Sequence, residues 1–218
     1  MGLAIFDLDN TLIAGDSDYS WGEFIVEQGL VDADHYRAEN ERFYLQYQQG
    51  GLNVHEYLRF ALEPLTRFSL DQLSQLHRQF MAEKIAPMHL SKAAALLQQH
   101  RDAGDYLLIM TSTNSFVTGP IAADLGVDAI LASEAELVDG RYTGNIVGTP
   151  CFQGGKVTRL HEWLASYTGA REPCYFYSDS INDLPLLADV SHPVAVDPDD
   201  RLRAHAEAAG WPIITLRD

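Results

Sequence analysis

The chain has 218 residues, of which 46% are hydrophobic and 10% aromatic, enough to bury a sizeable core in one large domain or a main domain with a smaller attachment. Its 31 Asp and Glu against 15 Lys and Arg give a formal net charge of -16, which repels a phosphate backbone and excludes nucleic acid as a partner. No apolar run is long enough to span a bilayer, and no basic stretch followed by an apolar run opens the chain, so the expectation is a cytoplasmic protein without a membrane partner. The two cysteines, Cys151 and Cys174, lack the spacing of a metal or redox site and read as buried thiols. The eight histidines show no HExxH or comparable ligand spacing.

The first predicted element is a strand, Leu3 to Phe6, ending in Asp7-Leu8-Asp9-Asn10-Thr11. Two carboxylates one residue apart at a strand end can be turn-capping acids or chemistry. From Ile13 to Ala86 the texture is helical without convincing strands. Trp21, Phe24 and Ile25 suggest a short helix. Val54, Tyr57, Leu58, Ala61 and Leu62 fall on one helical face, and Ser69 to Gln72 has the form of a capping box before an apolar stripe at Leu70, Leu73, Leu76, Phe80 and Met81. This block reads as a helical cap, residues 14–86, inserted into a discontinuous core of 1–13 and 87–218.

A second strand, Tyr106 to Met110, runs into Thr111-Ser112-Thr113-Asn114 and a helical pattern at Phe116, Val117 and Ile121. Hydroxyls and free N–H groups at a helix start can cradle phosphate, and the same cluster also serves as a plain N-cap. Ile130 to Ala132 is a third strand, with a hairpin signalled beside it by Asp139-Gly140 within Glu136 to Val147. Gly154-Gly155-Lys156 opens a helix whose apolar face is Val157, Leu160, Leu164 and Tyr167; a cation there gains nothing from the helix dipole. The strand Tyr175 to Tyr177 ends in Ser178-Asp179-Ser180-Ile181-Asn182-Asp183, with Pro185 fixing the following turn, and Val194 to Val196 and Ile213 to Leu216 complete the strands. Strands alternating with helices predict an α/β fold, a Rossmann-like parallel sheet core carrying an inserted α-helical cap.

In such a sheet the carboxyl ends of the strands line the ligand crevice. Four separated segments would therefore bring carboxylates, hydroxyls and one lysine to one edge, the composition of a metal-assisted phosphoryl-transfer site. A hard divalent cation is needed to neutralise a phosphate monoester while a carboxylate attacks it. Mg²⁺ fits, with Asp7, Asp179 and the Asp9 backbone carbonyl as ligands. Asp7 would attack phosphorus, Asp9 would move protons, Lys156 would pair with phosphate and Asp7, and Thr111 with the Ser112 N–H would bind the remaining phosphate oxygens. Asn182 and Asp183 stand behind the metal ligands.

The ordered set DLDNT at 7–11, Thr111 after its strand, Gly-Gly-Lys156 and SDSIND at 178–183 resembles the four motifs of the haloacid dehalogenase superfamily, over the whole chain. Asp9 resembles the phosphatase branch in particular, and a helical cap after the first motif resembles its phosphoserine-phosphatase-like members. The resemblance implies a Rossmann-like core and Mg²⁺ dependence. Two departures bear on function. The fourth motif begins Ser178-Asp179 where Gly-Asp is common. Where those phosphatases hold the substrate amine with a cap glutamate and its carboxylate with a cap arginine, an ungapped alignment places Asp16 and Ala61, with Arg59 nearby on another helical face.

An amine site without a carboxylate site suits an amino-alcohol phosphate, and the preferred small phosphomonoester substrate is L-histidinol phosphate. Asp16 or Asp18 would meet its ammonium, and Trp21, Tyr57 or His55 its imidazole. Phosphoserine, held through Arg59, is the alternative substrate; a non-catalytic phosphate-binding regulator and a phosphotransferase are the alternatives of other kinds. Oligomeric state is left open by the sequence.

Overall fold

The computed structural model describes residues 1–217. Among these, seven strands form a single sheet: β1 (Leu3–Phe6), β2 (Tyr106–Asn114), β3 (Ala129–Val138), β4 (Arg141–Val147), β5 (Cys174–Ser178), β6 (His192–Val196) and β7 (Ile213–Ile214), in the order β4-β3-β2-β1-β5-β6-β7. All neighbours are parallel except β3 and β4. The predicted α/β class and Rossmann-like parallel sheet are thus the observed architecture.

β1 is central because it is apolar on both faces. Leu3 and Ile5 pack into a cluster with Leu108, Met110, Phe176 and Leu160, while Ala4 and Phe6 pack on the opposite face with Leu107, Ile109, Tyr177 and Val196. This alternation needs a period of two, which four consecutive buried residues, Leu3 to Phe6, can supply only in a strand covered on both sides.

The first four of the five helices between β1 and β2 in the chain are α1 (Ser17–Glu27), α2 (Ala33–Gln48), α3 (Val54–Leu62) and α4 (Leu70–Phe80). Each has a polar residue at its N-cap: Asp16, Asp32, Asn53 and Ser69, the last in a reciprocal capping box with Gln72. α4 widens over Met81–Ile85 and tightens over Ala86–Met88, where Pro87 prevents a regular continuation. The two chain crossings are tied together, since the Ala14 N–H donates to the Met88 carbonyl at 2.8 Å. The hydrophobic cluster on the Phe6 face continues without a break into Trp21, Phe24, Phe80 and Leu73, so the inserted helices share the core of the sheet.

The other five helices are α5 (Ser91–Ala103), α6 (Ser115–Leu125), α7 (Gly154–Ser166), α8 (Leu184–Leu187) and α9 (Asp200–Ala209). α2, α5 and α9 are additional to the helices the sequence pattern predicts. Strand limits also differ, most at three places. β2 continues past Met110 to Asn114, so the hydroxyl cluster belongs to the strand; β3 extends to Val138, so the predicted hairpin is its far end folded onto β4; and β7 stops at Ile214. The turn residues Asp139 and Gly140 have φ of 49° and 74°, the positive pair of a tight hairpin. Cys151 and Cys174 are both buried free thiols. No helix among the described residues is long and apolar enough to cross a membrane.

The start of α7 depends on glycine. A Cβ placed on Gly155 would lie 2.1 Å from the Pro150 carbonyl oxygen, so the backbone can pass there only without a side chain. Gly155→Ala is expected to destabilise the protein by about 1–3 kcal/mol, the usual range for overpacking, measured by urea titration.

Candidate active site

Strand register brings the acids together. Phe6 pairs with Ile109 on one side and Tyr177 on the other, so Asp7, Thr111 and Asp179 emerge at the same sheet edge. The Asp7 N–H still donates to the Tyr177 carbonyl at 2.9 Å, which fixes the first residue beyond the strand. The next residues coil tightly, with Thr11, Leu12 and Ile13 N–H groups all donating to the Leu8 carbonyl.

Lys156 arrives from the first turn of α7 and is 2% exposed. Its Nζ donates to Asp7 Oδ1 at 2.8 Å and to Asp183 Oδ2 at 2.7 Å. Burial alone would push this ammonium down, but Asp183 and Asp7 outweigh it and keep the lysine protonated. The Ser178 hydroxyl donates to the same Asp183 oxygen at 2.7 Å. Serine in place of the common glycine therefore supplies an additional donor to Asp183.

The remaining carboxylates are less well compensated. Burial, reinforced by Asp183 and opposed by Lys156, pushes Asp7 up to about 7. Asp179 is held well above the usual carboxylate range by burial and by Asp7 and Asp183, with the Thr11 hydroxyl, 3.1 Å from Oδ1, opposing. Asp9 accepts the Ser17 N–H on Oδ1 at 2.6 Å and the Thr113 hydroxyl on Oδ2 at 2.9 Å; burial and the charge of Asp16 still push it up to about 6.

Four acids, Asp7, Asp9, Asp179 and Asp183, thus share one edge with a single lysine that pairs only with Asp7 and Asp183, a setting where a bound cation would relieve the excess charge. Among the described residues no three His, Cys, Asp or Glu side chains form a ready-made cation cage. Mg²⁺ does not require one, because it commonly takes one or two carboxylates and completes its octahedron with water and substrate oxygens. The donor set, all oxygen, fits that ion.

Above these acids lies a cavity bounded by Asp7, Asp9, Asn10, Ser112 and Thr113 on the sheet side. Asp16 and Tyr19 line it from α1, Asn40, Phe43, Tyr44 and Tyr47 from α2, and Leu52, Val54 and Tyr57 from the following segment. Asp16 accepts the Asp18 and Tyr19 N–H groups on Oδ1 at 3.0 and 2.9 Å, so it caps α1 while facing the cavity.

Thr111 is 1% exposed and does not border the cavity; its hydroxyl accepts the Thr113 N–H at 3.2 Å and lies 3.5 Å from Asp9 Oδ2. Asn182 is buried, with its carboxamide turned to Gln153 and to the Tyr47 carbonyl. Four expectations for substrate contact are corrected. Asp18 is buried under Asn114, which donates to its Oδ1 at 3.2 Å. Trp21 is enclosed by Phe24, Phe80 and Phe116, with ring centroids 5.1–5.5 Å away. His55 and Arg59 are exposed and line a separate depression with Glu136 and Asn145 of the hairpin. The helical period carries these four away from the wall that Tyr57 reaches.

Sequence reasoning missed Thr113, Tyr19, Tyr44, Tyr47, Asn40 and Phe43. For α2 a signal existed: Tyr36, Asn40, Phe43 and Tyr47 recur at four, three and four residues behind the Asp32 cap. It was obscured by the many charged and amide residues between them.

A parallel sheet whose strand ends present a lysine-braced aspartate, a second aspartate two residues on and two more carboxylates from a later strand defines a phosphoryl-transfer hydrolase. The model of the haloacid dehalogenase-like hydrolases matches residues 4–188, and the chain belongs to this family. It is similar to a histidinol-phosphatase of Neisseria meningitidis, 47% identical over 99% of both chains, and to a phosphoserine phosphatase of Mycobacterium tuberculosis, 33% identical over 98% of this chain and 70% of that one. Among solved structures it superimposes on a Bordetella pertussis protein of unknown function with a TM-score of 0.92, at 42% identity over 98% of both chains. A substrate-bound phosphoserine phosphatase has the same fold, with a TM-score of 0.70 at 16% identity over 99% of this chain and 93% of that one. The protein is a phosphoric monoester hydrolase.

The raised carboxyl of Asp7 carries a definite pH sign. Its native state holds a proton that the unfolded chain releases near 3.8, so its contribution to stability is full below that pH and is lost as pH rises through about 7. Without added metal, the stability of Asp7→Asn relative to the parent, offset by the loss of the Lys156 contact, should therefore rise with pH between these limits, seen as a melting-temperature difference that shifts in the variant's favour as pH rises.

Proposed function

We propose that this phosphatase hydrolyses a small amino-alcohol phosphate, with L-histidinol phosphate as its preferred substrate, and that residues 14–86 act as a cap over a core of 1–13 and 87–218. One observation carries the substrate reading: the cavity above Asp7 and Asp9 is lined by Asp16 and four tyrosines, with no arginine, lysine or histidine among its lining residues. A carboxylate and electron-rich ring faces suit an ammonium and an imidazole. A substrate carboxylate would find acids and no cation. Arg59, the group a phosphoserine reading needs, stands outside the cavity. The similarity to a histidinol-phosphatase at 47% identity supports the same substrate.

In the proposed reaction Lys156 orients Asp7 through Oδ1, and the other carboxylate oxygen attacks phosphorus. The phosphorus–ester oxygen bond breaks, and the departing alkoxide takes the proton held by Asp9. Asp9, raised to about 6, lies close enough to neutral pH both to give up that proton and to accept one from water in the second step. Water then displaces Asp7 from phosphorus, which releases inorganic phosphate and restores the carboxylate. Ser112 and Thr113 border the space where the transferred oxygens would lie. Mg²⁺, held by Asp7, Asp179 and the Asp9 carbonyl, would neutralise the phosphate charge that otherwise repels the nucleophile.

Phosphate release over a panel of phosphorylated metabolites tests this reading. The expected kcat/KM for L-histidinol phosphate exceeds that for phosphoserine by about 100-fold or more, since phosphoserine would leave a charge unpaired in the site. Comparable values for the two would refute the substrate assignment. Asp7→Asn should abolish turnover and Asp16→Asn should raise KM about tenfold for loss of one charged contact. Chelation should remove activity and Mg²⁺ restore it; full activity of Asp7→Asn would rule out the covalent route.

A further inference from the structure

Gln153, immediately before α7, has φ 48° and ψ −124°, a backbone region that glycine occupies freely and a side chain resists. It is the N-cap of the helix that carries Lys156, yet its side chain makes no capping bond to that helix. The carboxamide instead spans the catalytic face. Its Nε2 donates to Asn182 Oδ1 at 3.1 Å and reaches the Gly50 carbonyl at 3.5 Å. Asn182 in turn donates from Nδ2 to the Tyr47 carbonyl at 3.0 Å. Tyr47 and Gly50 flank the C-terminal end of α2, and the Tyr47 ring packs beside Phe152 with centroids 6.0 Å apart.

Three segments therefore meet at one side chain: the end of α2, the turn leading to Lys156 and the turn bearing Asp179 and Asp183. The Lys156 N–H donates to the Gln153 carbonyl at 3.0 Å, so the strained residue is part of the same turn as the lysine. Glycine would fit this backbone better and follows at the next two positions, so the side chain is what the site requires at 153.

We propose that Gln153 is a positioning residue that latches the end of α2 onto the catalytic loops, so that seating Tyr44 and Tyr47 over Asp7 is coupled to the placement of Asn182 and Lys156. The inference rests on the cap reading above, but not on the identity of the substrate. A structural role and a latch role differ in sign. If Gln153 merely supports the fold, Gln153→Gly lowers the melting temperature. If it is a latch bought with backbone strain, the same change leaves the melting temperature equal or higher while weakening closure.

The experiment compares the full-length parent, Gln153→Gly and Gln153→Met, the last keeping length without the donor. Expected for both variants is a fall in kcat/KM of roughly tenfold on p-nitrophenyl phosphate, as for a lost hydrogen-bond bridge, and faster amide exchange over residues 47–52. Gln153→Gly should show this with an undiminished melting temperature. Unchanged kcat/KM and exchange in Gln153→Gly, or losses that track a lowered melting temperature, would overturn the latch. Exchange is also measured with orthovanadate and Mg²⁺. If these slow exchange over 47–52 equally in parent and Gln153→Gly, the latch falls and the cap stands; if they leave the parent unchanged, the cap reading falls with it.

Discussion

The site is organised by a buried ammonium shared between two carboxylates. Lys156, almost wholly enclosed, joins Asp7 at the end of β1 to Asp183 beyond the end of β5. Removing one member of such a group leaves an unpaired charge in a medium that solvates it poorly, which typically costs about 3–5 kcal/mol. The surrounding construction follows from satisfying it: Gly155 lets α7 begin close against Pro150, and the Ser178 hydroxyl shares the oxygen of Asp183 that the lysine uses. The contact orients Asp7 while occupying only one of its carboxylate oxygens.

The same region carries more negative charge than the lysine can balance. Asp7, Asp9 and Asp179 are all raised, by burial first and by one another next. This imbalance is the physical basis for reading a cation into the site, and it separates two aspartates of identical chemistry. Asp7 faces the lysine, whereas Asp9 faces the Ser17 N–H and the Thr113 hydroxyl. In the proposed mechanism these surroundings would give the attacking role to Asp7 and the proton-carrying role to Asp9.

The inserted helices contribute in two ways. α1 is continuous with the core through Trp21 and Phe24, so packing anchors the helix that Asp16 caps. α2 crosses the mouth of the site and meets the catalytic loops through Asn182 and Gln153, presenting aromatic side chains to the cavity. α2 itself packs through Tyr36 and Phe43, but its junction with the catalytic loops includes polar contacts, which can exchange with water at lower cost.

The acids, the lysine and the strands that carry them were legible because each is a local pattern: an apolar run, then a residue type that a core strand has no other reason to display. The fold class followed from alternation of such runs with helical stripes. What the sequence could not determine was direction. Trp21, His55 and Arg59 were plausible substrate contacts by residue type, and only the rotation of α1 and α3 against the core turned them away. Thr113 and the α2 tyrosines entered the site because β2 runs on to Asn114 and α2 lies across its end, distances along the chain that no local period encodes. Gln153 shows the same limit, for its strained backbone and its two partners exist only after three remote segments have met. Chemistry at strand ends is written in the sequence; which cap side chains face it is decided by packing between distant elements.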